Sequence, residues 1–159
     1  MAKKKAIISA CLLGEYCRYD GKTKQVNEVI EAFKDYEIIP FCPEAPLFGT
    51  PRERIRVVLL DGEHRIITDV TNKDVTEMLE KEIIRFIKKN PHADAIVLKS
   101  KSPSCGIATT SIVDADKNFL RLGNGIATNI FFQKYNENII FDEHSFKENK
   151  NLCPITYYK

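Results

Sequence analysis

The chain lacks a strong excess of either charge. Lys plus Arg total 24 and Asp plus Glu 22, a formal net charge of +2. That balance gives no footprint for a long nucleic acid, whose binding draws on many unopposed Lys and Arg. Long hydrophobic runs are absent too, and none approaches the roughly 18 residues of a membrane-spanning helix. The basic residues before Ala6–Leu13 resemble a secretion signal only faintly. The run is short, contains Ser9 and Cys11, and leads directly into Glu15 and Arg18. No membrane association is expected, and a cytoplasmic location is.

Close cysteine pairs of the C-x-x-C kind, the usual source of structural zinc ligands, do not occur. An even cysteine count is missing as well. The five cysteines, Cys11, Cys17, Cys42, Cys105 and Cys153, argue against a disulfide framework in a cytoplasmic chain. His64, His92 and His144 show no ligand spacing and read as surface residues. There is no internal repeat, no linker and no low-complexity stretch. With 159 residues, 43% of them hydrophobic, the expectation is a single domain over residues 1–159 with an irregular tail at 145–159.

What is present is an alternation of elements. Ala6–Cys11 is a short apolar run, the pattern of a strand buried on both faces. Val26, Val29, Ile30 and Phe33 follow at helical spacing. Glu37–Cys42 reads as a second strand, with Pro40 placing it at a sheet edge or near its own end. Ile55–Leu60 and His64–Asp69 flank Asp61-Gly62 and form a predicted hairpin. Val75, Met78, Leu79, Ile83, Phe86 and Ile87 make the stripe of a longer helix, with Asp74 as its N-cap and Asn90-Pro91 as its stop. Ala95–Leu98 is a strand, 107–122 is less regular with a turn near Asp114–Lys117, Gly123-Asn124-Gly125 opens another helix, and Ile139–Phe141 is a last strand. This order predicts an α/β fold, a largely parallel sheet with helices on both faces and an inserted β-hairpin.

In such folds ligands bind beyond the carboxyl ends of the strands. Cys11, Cys42 and Cys105 each follow an apolar strand run, and Cys17 is six residues past Cys11. Pro103 stops the strand that precedes Cys105, and Gly106 supplies backbone freedom after it. Soft thiolates drawn from separate strand ends suit an iron–sulfur cluster better than a compact tetrahedral ion.

Five motifs occur in order: Ser9-Ala10-Cys11-Leu12-Leu13-Gly14, Cys17-Arg18-Tyr19-Asp20-Gly21, Cys42-Pro43-Glu44, Thr50-Pro51-Arg52 and Ser102-Pro103-Ser104-Cys105-Gly106. Together they resemble the domain-of-unknown-function family that contains 2-thiouracil desulfurase, an iron–sulfur-dependent desulfidase. The resemblance runs from about residue 6 to 143. Gly123-Asn124-Gly125 resembles that family's Gly-Asp-Gly segment with Asn124 in place of the acid, and no role is assigned to it.

The resemblance implies a 4Fe–4S cluster held by three cysteines, with a fourth iron open to the sulfur of a thiolated base. The implied ligands are Cys11, Cys42 and Cys105, with Cys17 a fourth candidate. Glu44 is the implied catalytic glutamate and Ser102 the catalytic serine, with Ser104 as the alternative. Arg18 and Arg52 are candidates for holding an anionic substrate group, and Tyr16 and Tyr19 for stacking a base. The expected activity is non-redox desulfuration of a small thiolated nucleobase or nucleoside at its carbon–sulfur bond. The alternative is a cluster-free carrier of persulfide sulfur, which requires one exposed cysteine of low pKa.

Overall fold

The computed structural model describes residues 3–146. Cys153 and all but the first two residues of the expected tail lie outside the described residues. Eight strands form two four-stranded sheets. The first sheet is entirely parallel: β1 (Lys5–Ser9), β2 (Glu37–Phe41), β5 (Ala95–Leu98) and β8 (Ile140–Asp142), ordered β2-β1-β5-β8. The second is mixed: β3 (Ile55–Leu60), β4 (Glu63–Thr68), β6 (Thr110–Val113) and β7 (Phe119–Gly123), ordered β4-β3-β6-β7. Among the described residues four α-helices accompany the sheets: α1 (Asn27–Ala32), α2 (Ala45–Phe48), α3 (Thr76–Lys89) and α4 (Ile126–Lys134).

The parallel sheet is covered on both faces, as its unbroken apolar strands require. Side chains alternate between two cores. Ala6, Ile8, Ala95 and Val97 pack with Val29 and Phe33 of the α1 region. Ile7, Ile96 and Leu98 pack with Leu79, Ile83 and Ile87 of α3 and Phe131 of α4. β2 is an edge strand, where Pro40 opposes Ile8 and costs no interior ladder bond. The α/β expectation with helices on both faces therefore holds.

The predicted hairpin is β3–β4, and it belongs to a second sheet rather than standing as an isolated insert. Its partners β6 and β7 come from the stretch expected to be less regular. Their connection is the expected turn, where the Asp114 carboxylate accepts the backbone N–H groups of Asp116 and Asn118 at 2.9 Å each. Ile55, Val57, Ile66 and Ile112 carry this sheet onto the core that holds α3 and α4. The N-cap of α3 is Val75 rather than the expected Asp74, which stands one residue earlier and whose Oδ1 accepts the Thr76 N–H at 3.0 Å and the Thr76 hydroxyl at 2.6 Å.

Gly106 corrects an expectation. Its backbone is not left-handed. It is glycine because a Cβ there would lie 2.2 Å from Thr110 Oγ1 and 3.0 Å from the Ser102 carbonyl oxygen. Gly125 has the same cause, since a Cβ would meet the Ser104 carbonyl at 2.4 Å. The start of α4 closes on the cysteine turn at that point. Gly125 N–H donates to the Gly106 carbonyl and Ala127 N–H to that of Ser104, both at 2.8 Å. The Thr128 hydroxyl donates to the Cys105 carbonyl at 2.9 Å. Among the described residues no helix is long and apolar enough to cross a membrane.

Candidate active site

The carboxyl ends of β2, β1, β5 and β8 open onto one cleft of about 800 Å³. Cys11, Cys17, Cys42 and Cys105 all line it, with Glu44, Ser102, Arg18 and Arg52. The chain reaches this rim in three ways. β1 ends at Ser9 and tightens into a 3-10 turn over Ala10–Leu13 that Gly14 closes in the left-handed region, φ +95°. β2 ends at Phe41 and gives Cys42-Pro43-Glu44 before the single turn of α2. β5 ends at Leu98 and gives the segment 99–105.

All four thiols are free, and they perturb one another. A hydrogen bond with Cys11, together with burial, pushes the Cys17 thiol up to about 11 against the lowering effect of Cys42. The hydrogen bond with Cys17, then burial, pushes Cys42 up further. Burial, then the charge of Cys42, does the same to Cys105. The Ala45 N–H donates to Cys42 Sγ at 3.5 Å, and the Cys42 thiol donates to the Cys17 carbonyl at 3.9 Å. Thiols that line one cleft and are held protonated by burial and by hydrogen bonds to one another are a donor set that a bound cation would ionise. Their softness suits iron bound by sulfur. Among the described residues no three His, Cys, Asp or Glu side chains are disposed around a single metal ion.

Glu44 is 8% exposed. Its Oε1 accepts from Arg52 Nε at 3.3 Å and its Oε2 from the Ser104 hydroxyl at 2.5 Å. Arg52 also donates through Nη1 to the carbonyls of Cys17 at 2.8 Å and Gly49 at 3.0 Å. It thus braces Glu44 against the cysteine loop. Ser104 is 1% exposed and does not line the cleft. Ser102 does line it. Its Oγ accepts the N–H groups of Ser104 and Cys105 at 3.1 Å each, which holds the turn and leaves the hydroxyl proton uncommitted to them. Arg18 sits at the rim, 3.8 Å from Asp20. Tyr19 also lines the cleft, but Arg54 covers its ring at 4.5 Å. Tyr16 is 72% exposed and takes no part in the lining. His64 and His92 are exposed, whereas His144, also exposed, lines the cleft with its Nε2 3.2 Å from the Ser100 hydroxyl, which corrects its reading as a mere surface residue.

A family model described as 2-thiouracil desulfurase matches residues 6–143. The chain belongs to the 2-thiouracil desulfurase family. Relatives include the Bacillus subtilis (strain 168) protein YbbK, 31% identical over 109 residues, 63% of this chain and 72% of that one. Among solved structures, the 4Fe–4S-dependent thiouracil desulfidase TudS superposes with a TM-score of 0.65 at 28% identity, covering 90% of this chain and 93% of TudS. The desulfurase-family match begins in β1 and ends at Glu143, so it spans both sheets and every wall of the cleft.

Two cleft residues, Lys99 and Glu143, lie outside the motifs, and Ser9 lies inside one without an assigned role. Ser9 is 3% exposed, and its Oγ accepts the Lys99 N–H at 2.9 Å beside the cysteine turn. Lys99 lines the cleft directly. Glu143 is buried at the end of β8. The rule that chemistry gathers at the carboxyl ends of parallel strands points to all three.

Proposed function

We propose that the chain desulfurates a small thiolated nucleobase or nucleoside of the thiouracil type. Sulfur leaves as hydrogen sulfide, oxygen from water replaces it, and no net redox change occurs. The observation that carries this reading is that Cys11, Cys42, Cys105 and the buried carboxylate of Glu44 line one cleft. The family and the similarity to TudS support it.

We assign a 4Fe–4S cluster to Cys11, Cys42 and Cys105, the thiols that follow strand ends, with Cys17 on the adjoining loop as the remaining thiol. When bound, the cluster supplies a soft Lewis-acidic iron for the thiocarbonyl sulfur. The chain supplies the proton handling. Glu44 Oε1 and Oε2 are oriented by Arg52 and Ser104, which places a general acid/base beside the thiols. Glu44 takes a proton from the attacking water and returns it to the ring nitrogen or the departing sulfur. Ser102 donates its free hydroxyl proton to the base, while Ser104 positions Glu44. Arg18 adds positive charge at the rim for an anionic substrate group. Arg52 contributes chiefly by holding Glu44, because its Nε and Nη1 are already engaged. Free thiols at such close quarters suit a reducing compartment, which is the basis for placing the protein in the cytoplasm.

A persulfide carrier needs an exposed cysteine that ionises readily. Cys17 and Cys42 are the partly buried thiols of the cleft, and the pKa of each is pushed up, that of Cys17 to about 11, by hydrogen bonding between thiols and by burial. That direction disfavours the carrier. The test is anaerobic incubation of the reconstituted protein with 2-thiouracil, 4-thiouracil and their nucleosides. Equimolar sulfide and oxo-base without added oxidant or reductant is the expected result. Sulfur retained on a cysteine with no free sulfide would establish the carrier instead.

A further inference from the structure

Desulfuration assigns no task to Gly123-Asn124-Gly125, yet this segment closes on the turn that carries Ser102 and Cys105. The two glycines let it approach. A Cβ at Gly123 would lie 2.4 Å from Ile112 Cδ1, and one at Gly125 would lie 2.4 Å from the Ser104 carbonyl oxygen. Asn124, between them, is half-buried. Its Oδ1 accepts the Ala108 N–H at 2.8 Å, and its Nδ2 donates to Asn129 Oδ1 on α4 at 3.1 Å. The second bond ties the amide to the helix and leaves its oxygen for Ala108.

Ala108 has a left-handed backbone, φ +56°, which a residue with a Cβ adopts only at a cost. Lys101, immediately before Ser102, is left-handed too, at φ +64°. Such a backbone persists where its surroundings over-determine it. Here a side-chain oxygen accepts each N–H: Asn124 Oδ1 for Ala108, and Thr109 Oγ1 for Lys101 at 2.8 Å. The next residue along, Thr110, donates its hydroxyl to the Ser102 carbonyl at 2.7 Å, beside the Gly106 N–H at 2.9 Å. Residues 106–110 thus fold back along 101–102 and hold consecutive backbone groups of that pair. Asn124 secures the loop at Ala108, directly before the two threonines that make these contacts.

We propose that Asn124 is a positioning residue for Ser102: by holding the left-handed Ala108 it sets Thr109 and Thr110 against Lys101 and Ser102, and so fixes where the Ser102 hydroxyl stands in the cleft. The proposal rests on the reading of Ser102 as the donor to the thiolated base. An aspartate at 124 would keep the Oδ1 acceptor, whereas an alanine would leave the Ala108 N–H without one.

The experiment uses the full chain as wild type, Asn124→Ala, Asn124→Asp, Ser102→Ala and the double variant Asn124→Ala/Ser102→Ala. Two readouts are taken: amide-proton exchange of Ala108 and Lys101 by NMR on the chain without iron, and kcat for sulfide release from 2-thiouracil on the anaerobically reconstituted chain. Asn124→Ala should speed exchange at Ala108 and, through Thr109, at Lys101, by about tenfold, while Asn124→Asp stays near wild type. Asn124→Ala should lower kcat by about tenfold, as expected when a reacting group is misplaced, and Asn124→Asp should restore most of it. With Ser102 already replaced by alanine, the same Asn124→Ala change should cost less than about twofold, because residues that act through one another are not additive. Unchanged exchange at Lys101 in Asn124→Ala would overturn the proposal, as would a tenfold loss that persists in the Ser102→Ala background. Ser102→Ala that turns over like wild type would instead overturn the reading of Ser102 as donor, and faster exchange at Lys101 in Asn124→Ala would still support the hold of Asn124 on the turn.

Discussion

The segment 99–105 is held at its two ends by the same kind of device, and the two devices differ in one respect. At its start, Glu143 accepts from the serine Ser100 and the cation Lys99. Near its end, Glu44 accepts from the serine Ser104 and the cation Arg52. Both carboxylates are buried, at 1% and 8% exposure. Glu143 is satisfied by three donors from the turn itself. Glu44 has one hydrogen-bond donor to each oxygen, and its charge adds to the burial and hydrogen bonds that push the Cys42 and Cys105 thiols up. A carboxylate saturated by its neighbours fixes geometry, whereas one with unused lone pairs next to the reacting position can carry a proton. On the proposed function, the same side chain does two different jobs, set by its surroundings.

The sharpest way to break this comparison is to neutralise each carboxylate in turn. Glu44→Gln should retain its iron and its folding temperature, yet lose ~10²- to 10⁴-fold in kcat, the usual worth of a general acid/base. Steady-state sulfide release from 2-thiouracil, with iron measured on the same sample, checks it. Glu143→Ala should instead lose stability, about 2–4 kcal/mol, because the buried Ser100 N–H and hydroxyl lose their acceptor and Lys99 loses its counter-charge. Denaturant unfolding checks that. Equal rate losses at near-native stability in both variants would erase the distinction.

Gly125→Ala sharpens the comparison by disturbing the turn without touching either carboxylate. The added Cβ would press on the Ser104 carbonyl at 2.4 Å. The expected cost is ~1–3 kcal/mol of stability, typical of overpacking, with a loss of cluster retention because Cys105 is the next residue. A variant as stable as wild type would show that α4 does not clamp the turn.

The smallest effect is a pH dependence. The folded-state value of Glu143 lies below its ordinary 4.5. Its stabilisation is therefore fully present above pH 4.5 and is lost as pH falls through the lowered value. Acidification over that window should destabilise the wild type by up to about 1.4 kcal/mol per pH unit from this group. Glu143→Gln should remove that share of the slope, as read from unfolding midpoints at stepped pH.

Much of this architecture was legible before the structure. Runs such as Ala6–Ile8 and Ala95–Leu98 are apolar at every position, as a strand buried on both faces requires, and the cysteines after them then fall on one rim. Glu44 was legible through Cys42-Pro43-Glu44. The second sheet was not. β7 is exposed at Phe119, Leu120 and Leu122, so it lacks the alternation that marks a half-buried strand. Its pairing with β6 carries an irregularity at Ile112/Val113. Gly106 was legible as necessary but for the wrong reason, because close approach by Thr110 leaves no trace in local sequence. Glu143 was hidden by distance. Its partner Ser100 lies 43 residues earlier, and only the β5–β8 pairing brings the two together. The choice between Ser102 and Ser104 also needed side-chain placement, since both fit the same turn and only Ser102 lines the cleft.

The account depends most on an iron–sulfur cluster held by the thiols at the strand ends. Its most direct test is the iron and acid-labile sulfide content of the anaerobically reconstituted chain, measured in wild type and in Cys11→Ser, Cys17→Ser, Cys42→Ser and Cys105→Ser. The account predicts about four irons and four sulfides per chain in wild type and in Cys17→Ser, and far less in the other three. A wild-type chain that takes up less than one iron, or a Cys17→Ser chain that loses the cluster while Cys11→Ser keeps it, would contradict it.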